Sequence, residues 1–191
     1  MVSNSTEHSE SSWRQLLAMD LGRYDDVAGT GVVRMIWAFV TIAGVRASVL
    51  LRLQEHSPFG RVVAVKKLLR TVNLILTGAD FVPGCRIGGG LVMRHPNGIV
   101  VGGTASVGEN CTILQQVTLG ENMSRSSSQR PGGPTVGDDV VLGAGAKILG
   151  SVKIGSGVTV GANAVVIRSV PSGSVVGGVP ARILASSVGD M

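Results

Sequence analysis

Aromatic residues are scarce: three Phe, two Trp and one Tyr make up 3% of the 191 residues. A core with so few rings is built from Val, Ile, Leu and Ala, which suits a narrow interior taking one side chain per layer. Two cysteines, Cys85 and Cys111, give no disulfide framework and no zinc-type spacing. Cys111 reads as a small packed apolar residue. Charged residues amount to 15%, and the net charge of +5 is spread along the chain without a basic run. That argues against nucleic acid, which calls for a basic stripe, and leaves room for a small phosphate-bearing molecule. The longest apolar run, Met35 to Val45, falls short of the roughly 20 residues that span a bilayer. Residues 1–12 carry no basic segment followed by an apolar stretch, so no signal peptide is expected and the expected location is cytoplasmic.

What is abundant is a comb of aliphatic residues. Val136, Leu142, Ile148, Ile154, Val160 and Val166 recur every sixth position, and Val101, Val107, Ile113 and Leu119 form the same comb upstream. Leaving aside Leu119, which leads into a long polar segment, small or apolar residues stand four places after each tooth: Ala105, Cys111, Val117, Val140, Ala146, Val152, Val158, Ala164 and Val170. A helix repeats at 3.6 and a half-buried strand at two. A period of six marks short strands joined by turns, which close a core only by stacking. Three strands make one triangular coil, so residues eighteen apart lie above one another: Val136 under Ile154, Leu142 under Val160 and Ile148 under Val166. The fold class expected is mainly β, a parallel β-helix of hexapeptide repeats behind a small helical N-terminal region.

In chain order, residues 1–12 read as a polar, disordered tail and 13–78 as the helical region. Within it we expect a short helix from Trp13 to about Tyr24 and a break at Asp25 to Gly31. A long apolar helix follows over Val32–Glu55 with Arg34, Arg46 and Arg52 along it. It ends at Ser57-Pro58, and a last helix runs from about Phe59 to Leu76. Trp37, Phe39 and the arginines leave peripheral membrane contact as a minority reading. Arg61, Lys66, Lys67 and Arg70 read as a solvated face. Residues 79–184 form the repeat domain and 185–191 a polar tail. The six-residue count fails twice. Ile87 to Val101 holds two residues too many, taken up around Met93–Gly98, and a polar segment over Glu121–Pro134 separates Leu119 from Val136. Long loops inside regular folds are usually functional.

His95 is the only histidine of the repeat domain, and it sits in the first of these slips. With a reference pKa of about 6.5, imidazole can act as a general base. Asp80 lies fifteen residues before it, close to one coil, and a carboxylate there would orient the ring; its competing role is a cap where helices meet prism. A metal centre needs several His or carboxylate ligands, and one histidine argues against it.

Five words bring a family into view: Thr-Gly-Ala-Asp (77–80), His-Pro-Asn-Gly-Ile-Val-Val-Gly (95–102), Ile-Leu-Gln-Gln-Val-Thr-Leu-Gly (113–120), Gly-Ala-Gly-Ala-Lys-Ile-Leu-Gly (143–150) and Gly-Val-Pro-Ala-Arg-Ile (178–183). The stretch 78–184 resembles the serine acetyltransferase branch of the left-handed β-helix hexapeptide acyltransferases. The resemblance implies left-handed coiling, acetyl-CoA as co-substrate, His95 as general base and Asp80 as its partner. It also implies direct attack of an acceptor hydroxyl on the thioester, with oxyanion donors near Gly120. Ala144, Gly145 and Ala162 match the family's CoA contacts, with Lys147 and Arg182 as candidate phosphate partners. Homotrimers or dimers of trimers, with sites between subunits, are the assembly implied. The chain departs from the pattern at the acceptor end. Arg94 stands where these enzymes carry Asp before the catalytic His. Gly132 and Gly133 fall at the Arg and His of their Arg-His-Pro word, leaving Arg94 and Arg130 as the basic residues expected to meet the acceptor. Serine is the first acceptor expected, a sugar, polysaccharide or secondary-metabolite hydroxyl the second, and an inactive scaffold the alternative from another class.

Overall fold

The computed structural model describes residues 12–24, 32–56, 63–121 and 132–186. The expected break at Asp25 to Gly31, the helix end at Ser57-Pro58, Arg61, Arg130 and most of the long loop lie outside the described residues, as do the outer parts of both tails.

From Asp80 onward the chain winds through three sheets that form the faces of a prism. The first face holds Asp80–Phe81, Val100–Val101, Thr118–Gly120, Lys147–Leu149 and Val165–Val166, all parallel. The second holds Arg86–Ile87, Ser106–Val107, Thr135–Val136 and Lys153–Ile154. The third holds Thr112–Ile113, Val141–Leu142, Thr159–Val160, Ser174–Gly177 and an antiparallel closing strand, Arg182–Ser186. The stacking expected from the comb is the observed register: Val136 pairs with Ile154, Leu142 with Val160 and Ile148 with Val166. These side chains, with Phe81, Ile87, Val101, Val107, Ile113 and Leu119, fill the axis and are buried. Each tooth alone has no dry face to pack on, so burial comes from the rungs above and below. Cys111 is a buried, unbridged thiol, as expected of a packed residue, and so is Cys85; burial pushes the Cys85 pKa up to about 12 and that of Cys111 up to about 11.

Both departures from the six-residue count are real. Val92 bridges Thr112 and Val100 pairs with Thr118, so eight residues turn the corner where the next coil uses six. Thr118 pairs with Lys147, twenty-nine residues on instead of eighteen, because the long loop is inserted between them. A third departure had no warning in the comb. Thr159 pairs with Val175 at sixteen residues, so the last coil is two residues short.

Among the described residues four helices cover the base of the prism: α1 (Trp13–Leu21), α2 (Val32–Thr41), α3 (Ala43–His56) and α4 (Val63–Thr77). Ser12 starts α1 with a capping box in which its hydroxyl and the Gln15 side chain each satisfy a backbone N–H. The long helix expected over Val32–Glu55 is two helices, bent by 107° at Ile42. The bend leaves the last carbonyls of α2 without helical partners, and the Arg46 guanidinium donates to those of Phe39 and Val40 at 3.2 and 2.8 Å. Among the described residues no single helix is long and apolar enough to cross a membrane. Arg52, read from sequence as one of the flanking cations, is fully buried. It forks onto Asp20 at 2.8 and 3.0 Å, reaches Glu55 at 3.0 Å and donates to the carbonyls of Ile87 and Gly88, both at 2.6 Å. Asp20 also accepts from the Leu91 amide at 2.8 Å, so one buried ion cluster fastens α1 and α3 to the first coil. Breaking such a group leaves an uncompensated charge, typically at a cost of about 3–5 kcal/mol.

Candidate active site

The corner where the third face passes into the first carries most of the residues singled out from sequence. Its rungs are tied by a ladder of backbone hydrogen bonds: Gly98 to Gly78, Gln116 to Asn97, Gly145 to Gln115 and Asn163 to Ala144, at 2.8–3.0 Å. The turn needs a left-handed residue at every level. Gly78, Gly98 and Gly145 take φ values of 76, 73 and 73°, and Gln116 and Asn163 accept 61 and 55°.

His95 lies at the foot of this corner, within the two-residue bulge. Met93 and Pro96 are buried and hold the bulge inward, while Arg94 and His95 are exposed and face out. Above it on successive rungs come Gln116, then Ala144 and Gly145, then Ala162 beside Asn163. With strands about 4.8 Å apart, the bulge is roughly 15 Å below Ala162. Lys147 lies on the first face just past the corner and donates its ammonium to the Gln116 carbonyl. Arg182 continues the column at its top: its neighbour Ala181 donates to the Val165 carbonyl at 2.8 Å, and its own guanidinium is exposed. The corner is thus a straight edge lined by Ala144, Gly145 and Ala162, with an exposed imidazole at one end and cations beside it, a shape that suits an extended anionic ligand.

Two expected site residues are placed differently. Asp80 lies one rung below Val100 with its carboxylate outward, but its partner is Arg70 of α4, which forks onto it at 2.5 and 2.7 Å. Among the described residues His95 has no hydrogen bond to Asp80. Bidentate pairing with a carboxylate is the geometry a guanidinium favours, and the hydrogen bond to Asp80 pushes the Arg70 pKa above its ordinary value. Arg70 is therefore a joint between helix and prism, and not part of a solvated face. Gly120 lies in the sheet at the far end of the first face, where its carbonyl accepts from the Gly150 amide at 2.9 Å. Four residues of strand, about 13 Å, separate it from Gln116 at the corner. Within one chain it does not meet His95.

Gly133 packs where a β-carbon would come within 2.8 Å of the Ala105 amide nitrogen and 3.0 Å of the Thr104 hydroxyl. The end of the long loop thus lies against the turn between the first and second faces, with no room for a side chain at Gly133. Among the described residues no three His, Cys, Asp or Glu side chains converge. Sequence reasoning missed Arg70 and Gln116 as neighbours of the site. Arg70 carries no motif, but the left-handed Gln116 stands one rung below Gly145 at the same place in the turn, a position the comb could have flagged.

The family model for bacterial transferase hexapeptide (six repeats) matches residues 133–168. Serine acetyltransferase from Synechococcus elongatus is 40% identical over 127 residues, covering 66% of this chain and 51% of that protein. The Mycobacterium tuberculosis serine acetyltransferase is 48% identical over 113 residues, covering 59% and 48%. The chain thus spans about half the length of these curated relatives. A solved serine acetyltransferase in complex with cysteine aligns over 91% of this chain and 70% of its own, at 32% identity and a TM-score of 0.76. The Brucella abortus serine acetyltransferase in complex with coenzyme A aligns over 91% and 68%, at 32% identity and a TM-score of 0.74. The register, the corner column and these likenesses together carry one conclusion: the chain belongs to the serine acetyltransferase branch of the left-handed β-helix, hexapeptide-repeat acyltransferases.

Proposed function

We propose that this protein is an acetyl-CoA-dependent O-acetyltransferase of the serine acetyltransferase type. The observation that carries the proposal is the placement of His95 in a bulge at the foot of the corner that also bears Ala144, Gly145 and Ala162. In this reading the pantetheine arm lies along the corner, where small side chains allow close approach, and Lys147 and Arg182 meet its phosphates. The acceptor hydroxyl gives its proton to the His95 imidazole as its oxygen attacks the thioester carbonyl. The carbon–sulfur bond then breaks, and the imidazolium returns the proton to the CoA thiolate. No acyl-enzyme forms. Asp80 supports the ring's second nitrogen: a carboxylate has about four acceptor sites, and Arg70 occupies two while fixing its orientation. Gly120 lies too far along its own strand, so the oxyanion donors near it serve a site completed by a neighbouring copy. Homotrimers or dimers of trimers follow, and a cytoplasmic location is part of the proposal.

Serine is the first acceptor we propose. Arg94 and the tightly packed Gly133 favour a second reading, a carbohydrate or secondary-metabolite hydroxyl. An exposed cation beside the base repels an ammonium group, and Gly133 offers no side chain to an amino acid. Purified protein incubated with acetyl-CoA and a panel of serine, homoserine and sugars separates them. Thiol release on serine alone supports the first and release on sugars the second. Absence of acetyl-CoA binding by calorimetry contradicts both and leaves a scaffold.

A further inference from the structure

The catalytic bulge is gripped from behind by the helical region. Tyr24, just past α1, places its hydroxyl 2.9 Å from the Met93 amide nitrogen and 3.2 Å from the Met93 carbonyl oxygen, accepting from one and donating to the other. Met93 is buried two residues before His95 and begins the turn that holds the two extra residues. Its backbone groups are therefore satisfied by one phenol sixty-nine residues away in sequence, where neighbouring rungs use the ladder. Burial raises the Tyr24 pKa above its ordinary value, so the hydroxyl stays protonated and keeps both roles. The start of α3 closes the grip. A β-carbon on Gly44 would lie 1.8 Å from the Met93 oxygen and 2.6 Å from the Tyr24 hydroxyl, so only glycine lets helix, phenol and bulge meet. Tyr24, Ala38, Val45 and Val92 form one buried cluster around the contact, separate from the prism axis. Next to it, Arg23 donates to the Gly90 carbonyl at 2.7 Å.

We infer that Tyr24 is a positioning residue for His95: by bonding both backbone groups of Met93 against Gly44, it fixes the bulge from which the imidazole projects. The inference rests on His95 being the base, but its central claim concerns the geometry of the ring. The other bonds from the helices to this coil, by Arg52, Asp20 and Arg23, fall between Ile87 and Leu91, whereas Tyr24 alone of these four side chains reaches the turn that carries His95.

The test uses the full chain. His95 ring resonances are assigned by their loss in His95→Ala. In Tyr24→Phe they are expected to shift and split into more than one set. On whichever panel acceptor the wild type acetylates, kcat is expected to fall about tenfold or more with KM for acetyl-CoA unchanged. Val160→Ala, a core truncation three rungs above Met93 on the third face, is expected to lower Tm and leave the His95 resonances as in wild type. Replacing the chain's single tyrosine by 3-fluorotyrosine keeps the hydroxyl and is expected to keep the wild-type resonances. A Tyr24→Phe protein with wild-type His95 resonances, whatever its Tm, overturns the inference. Should that variant not fold, hydrogen exchange in the wild type decides. Met93 amide protection matching that of Ile113 supports the grip, and free exchange refutes it. Full activity in His95→Ala would remove the catalytic reading while leaving the resonance test of Tyr24 standing.

Discussion

The role proposed for His95 asks for an accessible ring on a backbone held still, and the structure offers both features: Met93 and Pro96 are buried and anchor the bulge, and His95 is exposed. Asp80 is held by Arg70, so the carboxylate is oriented before any substrate arrives. Asp80→Asn is expected to lower kcat about tenfold, less than loss of the base itself, for which a range of about 10²–10⁴ applies. An unchanged kcat would leave Asp80 a cap between helix and prism. Ala162 is exposed on the corner, and Ala162→Arg is expected to raise KM for acetyl-CoA about tenfold or more, with Tm within a degree or two because surface changes cost about 0.5 kcal/mol or less. An unaltered KM would move the CoA site off this edge. His95 was legible in the sequence because it breaks a comb otherwise poor in acid–base groups. Arg70 and Tyr24 were not. Their partners lie ten and sixty-nine residues away, and those distances depend on how helices settle on the prism.

At the scale of elements, the prism was readable for a physical reason. Each rung imposes the same demand on the residue at its axis, so the constraint is written many times over. Ile148 is fully buried between Leu119 and Val166, and Ile148→Ala is expected to cost about 2–5 kcal/mol in denaturant unfolding. A loss below about 1 kcal/mol would mean the rungs do not carry the core. The helical region has no such redundancy. The bend at Ile42 was missed because Met35 to Val45 holds no charged residue and no proline, whereas the turn comes from Gly44 meeting Met93 and from Arg46 capping α2. Glu55, at the edge of the buried cluster, has its pKa raised to about 7, first by desolvation and against the pull of Arg52. The folded state thus holds this proton more tightly than the unfolded chain, whose reference value is 4.5. The resulting stability is fully present below about pH 4.5 and lost as pH rises through about 7. Wild-type Tm is expected to fall by several degrees over that window relative to Glu55→Gln, and parallel profiles for the two proteins would refute it.

The whole molecule divides its work between regularity and exception. The regular rungs give a stiff edge, and the extra residues at His95 and the inserted loop break it where chemistry is proposed. Gly120 and His95 lie at opposite ends of one face, so the account requires neighbouring copies to complete each site. Sedimentation is expected to show a trimer or a multiple of it, and a stable monomer with full activity would contradict that requirement. The central claim is that His95 removes the acceptor's proton. Its most direct test is kcat for acetyl-CoA thiol release by His95→Ala on the acceptor turned over by the wild type. The account predicts a loss of at least about a hundredfold with the fold intact, and a kcat within a few-fold of wild type would contradict it.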